Sequence, residues 1–263
     1  MRFWPSFMAD SLAGRRILIT RPASVAGHLA RLIRAEGGEP VLFPVLDILA
    51  AEDRGALAAI IGSLQEFELA VFISPAAVEW GMREVRWMRA WPAELRIAAV
   101  GAGTAAALRT AGFADVLAPQ GRGDSETLAA LPEFAGITGK SIVIFRGEGG
   151  REWLRQTLER RGARVAYAQC YRRARPSADP APLLERLRHG GIDCVSVTSA
   201  EGLENLVAMI GNGGEPLLRA LPVFVPHPRI AEAGKRLGLE RLVILDAGDE
   251  ALVQGIAEFF AKV

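Results

Sequence analysis

Six short segments of this chain share a chemistry suited to holding anions: Thr20-Arg-Pro22, Ser74-Pro-Ala76, Val100-Gly-Ala-Gly-Thr104, Arg146-Gly-Glu-Gly-Gly150, Thr198-Ser-Ala200 and Pro226-His-Pro-Arg229. Each follows a short apolar run and precedes a helical pattern. At such a place, unpaired backbone N–H groups and the positive end of the helix dipole can receive carboxylates or phosphates. Several such loops facing one cleft suit a ligand that carries several acidic groups. The same Ser, Thr and Gly residues also make ordinary N-caps and turns, so no single loop decides between a binding and a structural role.

Other reactive chemistry is sparse. His28, His189 and His227 fall on different elements and support neither a metal cluster nor a His-dependent triad. Cys170 and Cys194 lie in apolar runs without C-x-x-C spacing and read as buried free thiols. Gly101-Ala-Gly103-Thr-Ala-Ala106 matches the G-x-G-x-x-A form of a dinucleotide fingerprint. The strand that follows, Asp115 to Leu117, runs into Pro119 and Gln120 with no acidic residue at its end, and the segment is not the first βα unit of its half. Close helix–strand packing explains those glycines better. Gly147 to Gly150 lacks the G-K-[ST] of a phosphate loop. No cofactor and no metal are expected.

The elements that must position these loops alternate strand and helix. Strands are predicted at Ile17–Thr20, Val41–Pro44, Leu69–Ile73, Ile97–Val100, Asp115–Leu117, Ser141–Phe145, Val165–Tyr171, Cys194–Thr198, Val223–Val225 and Leu242–Leu245. Helical patterns lie between most of them, for example Trp153, Leu154 and Leu158 ahead of a stop at Gly162. This is the pattern of an α/β protein with parallel, doubly wound sheets, in which a ligand sits at the carboxyl ends of the strands.

The alternation is duplicated. Gly14 to Leu46 aligns with Gly139 to Tyr171 without a gap: Arg21 falls on Arg146 (146 − 21 = 125) and Gly37 on Gly162 (162 − 37 = 125). Glu68 to Ser74 falls on Asp193 to Ser199 at the same offset, and Leu95 to Ala105 falls on Leu221 to Ala231 at 126. A fixed long period means two copies of one α/β unit. The copies can form sequential halves or exchange segments. The apolar stretches VLFPVLDI and AYAQCY occupy equivalent places and could pair as a two-stranded hinge, which favours the exchange.

With 263 residues, half of them hydrophobic, the chain can bury the core of one large or two modest domains. A formal net charge of +1 gives no bulk electrostatic case for nucleic acid. The basic charge is almost all arginine, the side chain suited to bidentate carboxylate contacts, although codon bias accounts for the skew equally well. MRFWPSFMADSLAG has no signal-peptide apolar run, and nothing later reaches membrane-span length, so a cytoplasmic, membrane-free monomer is expected.

The ordered set Ile17-Leu-Ile-Thr-Arg-Pro22, Val71-Phe-Ile-Ser-Pro-Ala-Ala-Val78, Ala99-Val-Gly101 with Thr104, Gly123-Asp-Ser-Glu126, Tyr171-Arg172, Val197-Thr-Ser199 and Pro228 with Ala231 resembles uroporphyrinogen-III synthase over nearly the whole chain. The resemblance implies two similar α/β domains joined by a two-stranded β linker. Residues 1–41 with 172–263 would form a discontinuous domain, 48–168 the other, and 42–47 and 168–171 the paired linker strands. It also implies a lyase that closes the linear tetrapyrrole hydroxymethylbilane into uroporphyrinogen III, with loss of water and inversion of the last pyrrole ring, and without metal or organic cofactor.

On the same ground Tyr171 is the expected proton donor to the departing hydroxyl, or a hydrogen-bond donor in that role, since a phenol is a weak acid of ordinary pKa about 10. A hinge tyrosine that merely packs is the alternative. Tyr167, expected on the same strand face by period two, is the natural control. The expected substrate contacts are Thr20, Arg21, Ser74, Ala76, Gly101, Thr104, Arg146, Thr198, Ser199, Pro228 and Arg229, with backbone N–H groups mattering more than side chains. Arg21 and Arg146 could equally be solvated loop arginines. The chain departs from the family pattern at His227-Pro228-Arg229-Ile230, where hydroxyl residues often follow Gly-Pro, and at Ala76, where a polar residue often follows Ser-Pro. A two-lobed anion-binding protein without turnover is the rival reading; a nicotinamide enzyme is a third.

Overall fold

The computed structural model describes residues 10–120 and 123–262; residues 1–9 and Val263, assigned above to the first domain, lie outside the described residues. The elements run β1 (Arg16–Ile19), α1 (Ala23–Ala35), β2 (Glu39–Leu42), β3 (Asp47–Ala50), α2 (Arg54–Gly62), β4 (Leu69–Phe72), α3 (Pro75–Met88), β5 (Arg96–Ala99), α4 (Ala102–Thr110), α5 (Ser125–Ala129), β6 (Ser141–Gly147) and α6 (Trp153–Arg160). They continue with β7 (Arg164–Ala174), α7 (Ala181–Arg188), β8 (Cys194–Ser196), α8 (Ala200–Arg219), β9 (Val223–Val225), α9 (Pro228–Arg236), β10 (Leu242–Ile244) and α10 (Asp249–Phe260). The chain divides into two compact units: Met1–Asp47 with Ala174–Val263, and Ile48–Arg173.

The discontinuous unit holds a sheet in the order β2-β1-β8-β9-β10, whose neighbouring strands run parallel. Counted along the chain, this is the 2-1-3-4-5 order of a doubly wound sheet, with its switch point between β1 and β8. Strand β1 forms because Ile17, Leu18 and Ile19 are all fully buried; burying each such side chain contributes about 1.5–3 kcal/mol. One face of the sheet packs Ile17 and Ile19 against Leu29 and Ile33 of α1 and Ile256 of α10, and the other packs Leu18 against Leu203 and Leu206 of α8. The continuous unit orders its sheet β3-β7-β6-β4-β5, with parallel ladders β7-β6, β6-β4 and β4-β5. Its two core clusters likewise lie on opposite faces, Val143 and Phe145 pointing to one and Ile142 and Ile144 to the other.

The duplication extends to pairing register. Ile17 pairs Cys194 in one sheet and Ile142 pairs Leu69 in the other, each residue shifted by 125. Ile17 opposite Pro40 recurs as Ile142 opposite Val165, and Val195 opposite Val223 as Ala70 opposite Ile97. Each sheet thus takes two strands from one copy of the repeat and three strand positions from the other. Gly37 and Gly162, at φ of +77° and +85°, end the equivalent helices α1 and α6 in left-handed backbone that other residues rarely adopt.

The structure corrects three sequence expectations. Asp115–Leu117 is not a strand: only a single bridge, Ala98 to Leu117, stands where Phe224 pairs Val243 in the other copy. The segment 42–47 is not one linker strand. Leu42 ends β2, Phe43 and Val45 donate to the carbonyls of Ile19 and Thr20, and residues 168–171 belong to β7 and pair with β6. The neighbour of β7 on its other side is β3, which resumes after Pro44, a residue with no N–H for a ladder. Third, Tyr167 and Tyr171 do not share a face. Arg146 pairs Gln169 and Gly147 pairs Tyr171, so Cys170 is an extra residue, a β-bulge that turns Tyr171 toward Phe72 and Ala168 while Tyr167 packs with the opposite cluster. Both cysteines are free and buried, as the sequence implied, and burial raises both thiols, that of Cys170 to about 12.

One ion pair anchors the start of β1. Asp193 accepts from the Arg16 backbone N–H at 2.7 Å and from the Arg16 Nε at 2.9 Å. Partial burial raises the Asp193 carboxyl, but the Arg16 hydrogen bonds and charge outweigh it, and the group sits below the usual carboxylate range. A depressed carboxylate contributes stability that is present above its unfolded pKa and lost as pH falls through the folded one. Denaturant midpoints of the wild type and Asp193→Asn are therefore expected to differ at neutral pH and to converge below about pH 4; a gap independent of pH would remove the ionic contribution.

Candidate active site

In the unit Ile48–Arg173, a cavity of about 310 Å³ opens at the carboxyl ends of β4, β5, β6 and β7. Ile73, Val100, Ile144, Arg146, Gly147, Tyr167 and Tyr171 line it, with Ser125, the 148–151 loop, Leu154 and Arg173. It straddles β4 and β6, the switch point of that sheet, where doubly wound proteins bind ligands. The discontinuous unit has a counterpart of about 220 Å³ lined by Arg21, Thr198, Pro226, Asp246 and Gly248. The lining matches across the repeat: Arg21 with Arg146, Thr198 with Ile73 (198 − 73 = 125) and Pro226 with Val100 (226 − 100 = 126).

Tyr171 is 1% exposed, and its hydroxyl lies 3.1 Å from Ser74 Oγ. Ser74 caps α3, its Oγ accepting from the Ala77 N–H at 3.1 Å, so its own proton can point to Tyr171 or it can accept from the phenol. The ring lies against Gly147: a methyl group there would stand 2.5 Å from Tyr171 Cε2. The bulge, the bare glycine and the capping serine together fix the phenol at the cavity wall.

The remaining expected contacts differ in placement. Ser199, at the position equivalent to Ser74, caps α8 by accepting from the Gly202 N–H at 2.9 Å, and Thr198 beside it is exposed in the smaller cavity. Ala76 lies in the first turn of α3, Pro228 opens α9, and Arg229 is exposed, its backbone N–H donating to the capping His227 Nδ1. Thr20 and Thr104 are buried, and the Thr20 hydroxyl is spent on the Ser196 carbonyl at 2.8 Å, which makes it a tie between β1 and β8. Gly101 caps α4 in extended backbone and packs on Gly123; a Cβ on Gly123 would stand 2.4 Å from the Gly101 Cα. That contact requires the glycine at 123, whereas a Cβ on Gly101 would meet Gly123 at 3.4 Å, an ordinary contact.

Both arginines are committed within the chain. Arg21 pairs with Asp249 at the start of α10, which His28 Nδ1 also reaches at 3.0 Å. Arg146 is 3% exposed and bonds Glu152 at 2.9 Å, the Gly147 carbonyl at 3.2 Å and the Gly149 carbonyl. Neither is the solvated loop arginine that the sequence left open. Glu152, which sequence reasoning missed, also accepts from the Tyr167 hydroxyl at 2.8 Å. Burial and that carboxylate push the Tyr167 phenol up to about 12. Conversely, the Tyr167 hydrogen bond, opposed by burial and aided by Arg146, holds Glu152 below the usual carboxylate range. The signal available in sequence was an acidic residue six positions after Arg146 at the start of a helix.

Comparison with known proteins bears on what these sites serve. The family model of uroporphyrinogen-III synthase HemD matches residues 27–254. The chain belongs to the uroporphyrinogen-III synthase family. It is 34% identical to the uroporphyrinogen-III synthase of Salmonella typhimurium over 243 residues, 91% of this chain and 99% of that protein. It is 32% identical to that of Escherichia coli over the same shares. The fold is shared with the crystal structure of a mutant uroporphyrinogen III synthase from the extremely thermophilic bacterium Thermus thermophilus (TM-score 0.61, 21% identity, 95% of this chain and 100% of that one). The Helicobacter pylori uroporphyrinogen-III synthetase aligns at a TM-score of 0.59 with 12% identity, over 93% of this chain and 99% of the other. Among the described residues of this family member, no helix is long and apolar enough to cross a membrane.

Proposed function

We propose that the chain closes hydroxymethylbilane into uroporphyrinogen III in tetrapyrrole biosynthesis, inverting the last ring, and that it does so by orientation more than by reactive side chains. The observation that carries this is family membership along nearly the whole chain, joined to Tyr171 at the wall of a switch-point cavity. The C–O bond of the terminal hydroxymethyl group breaks, its electron pair leaving with oxygen; a proton makes the leaving group water, and an azafulvene cation remains. The terminal carbon then bonds to the last pyrrole at its already substituted α-carbon; the older bond from that carbon to its methylene bridge breaks and re-forms at the ring's free α-carbon, which loses a proton as the macrocycle closes with that ring inverted. Tyr171 donates the hydrogen bond or proton at the departing oxygen, and Ser74 relays it or holds the phenol. Within the unit Ile48–Arg173 acidic arms of the substrate are received by backbone N–H groups in the strand-end loops at Ser74, Ala76, Gly101 and Thr104; in the other unit the equivalent loop offers those of Thr198 and Ser199, and the exposed Arg229 after Pro228 offers its side chain. Arg21 and Arg146 shape those loops, and Thr20 braces one of them. Holding the two ends of a flexible chain together supplies several kcal/mol of barrier lowering, on the order of 7–11 where the alignment is good.

The working form in this reading is a cytoplasmic monomer that needs no cofactor. The test is a coupled assay with freshly prepared hydroxymethylbilane, followed by oxidation and separation of the isomers. The type III isomer should dominate. If only the spontaneous type I isomer forms above tight ligand binding, the chain is an anion-binding protein instead.

A further inference from the structure

The reaction as described leaves Glu152 and Tyr167, the partners of Arg146 in a polar cluster of the unit Ile48–Arg173, without a role. Glu152, at the N-cap of α6, accepts from Arg146 through Oε1 and from the Tyr167 hydroxyl through Oε2, at 2.9 and 2.8 Å. The Arg146 guanidinium stacks 4.4 Å from the Tyr167 ring centroid while its other donors hold the carbonyls of Gly147 and Gly149. One carboxylate therefore ties together the end of β6, the glycine loop, the start of α6 and the middle of β7. Arg146, Gly147, Gly149 and Tyr167 all line the larger cavity; Glu152 stands behind them. A guanidinium has five N–H donors, and these bonds use three, leaving one on each terminal nitrogen at the cavity wall. Other charges around the cluster are already paired: Arg155, 5.1 Å from the Tyr167 centroid, bonds Glu159 at 2.8 Å, and Arg151 bonds Glu126.

We propose that Glu152 is a positioning residue, holding Arg146 and Tyr167 so that this wall keeps the shape that receives one acidic arm of the linear tetrapyrrole. The inference rests on the functional reading above and adds a residue to it. Without the carboxylate, Arg146 keeps only carbonyl partners on a glycine loop and Tyr167 loses its acceptor, so ground-state binding suffers before chemistry does.

Because the chain has only two tyrosines, phenolate absorbance separates the roles. In Tyr171→Phe protein the signal reports Tyr167 alone, and adding Glu152→Gln should move its titration down from about 12, since a carboxylate that accepts from the phenol also repels the phenolate. With Tyr171 intact, Glu152→Gln should raise KM by about fivefold to tenfold and leave kcat within about twofold, the scale of one partly exposed charge-assisted hydrogen bond; Glu152→Asp should recover part of the loss. An unmoved Tyr167 titration, or a lowered kcat at unchanged KM, overturns the proposal. Absence of type III product from the wild type sinks the functional reading and this proposal with it, whereas normal wild-type turnover with an unaltered KM in Glu152→Gln sinks this proposal alone.

Discussion

Tyr171→Phe is expected to lower kcat by about tenfold to a hundredfold, below most of the roughly 10²–10⁴-fold span of a full proton-transfer partner because a phenol is a weak acid that contributes chiefly a hydrogen bond, with the fold unchanged. The ring is retained, and it is the ring that packs with Phe72, Ala168 and Cys170. The cap of α3 also survives, because Ser74 holds the Ala77 N–H without help from the phenol. Only the hydroxyl 3.1 Å from Ser74 is removed, so a loss of rate cannot be assigned to unfolding. Steady-state kcat beside a denaturant midpoint makes the comparison. An unchanged kcat would return Tyr171 to a packing role, the alternative its 1% exposure keeps open.

Gly147→Ala should act on the same phenol from the other side. The added methyl would lie 2.5, 2.7 and 3.1 Å from Tyr171 Cε2, Cζ and Cδ2, and the face of a buried ring cannot yield as a flexible chain end does. Overpacking of this kind costs about 1–3 kcal/mol. The ring must move from its place beside Ser74, so kcat should fall with stability. If the activity loss comes from displacing the hydroxyl, combining Gly147→Ala with Tyr171→Phe should cost less activity than the sum of the two, since neighbours sharing one interaction are not additive. Full additivity in kcat would mean that the glycine serves stability alone.

Much of this architecture was legible in the sequence. Apolar runs such as Ile17–Ile19 and Ile142–Phe145 are strands because they are buried on both sheet faces, and the 125-residue offset carried through to pairing register. The strand-end rule led to the loops that line the two cavities. What escaped depends on contacts distant in sequence. The bulge at Cys170 lies opposite the step from Arg146 to Gly147 of β6, and nothing in Ala-Gln-Cys-Tyr announces it, so period two misassigned the face of Tyr171. Pro44 marked the break that delays β3 to Asp47, but the apolar stretch around it concealed the signal. Arg21 and Arg146 were recognised as equivalent, yet Asp249, the partner of Arg21, lies 228 positions away and only the fold brings it near, whereas Glu152, six positions after Arg146, was within reach of the sequence.

The reading rests on strand-end loops that grip the acidic arms of a tetrapyrrole beside one phenol. The most direct measurement is a crystal structure with uroporphyrinogen III bound. Expected are carboxylates within hydrogen-bond distance of backbone N–H groups following β4 and β5, and the newly closed ring within reach of the Tyr171 hydroxyl. Product seated away from those loops, or with Tyr171 turned from the macrocycle, would contradict it.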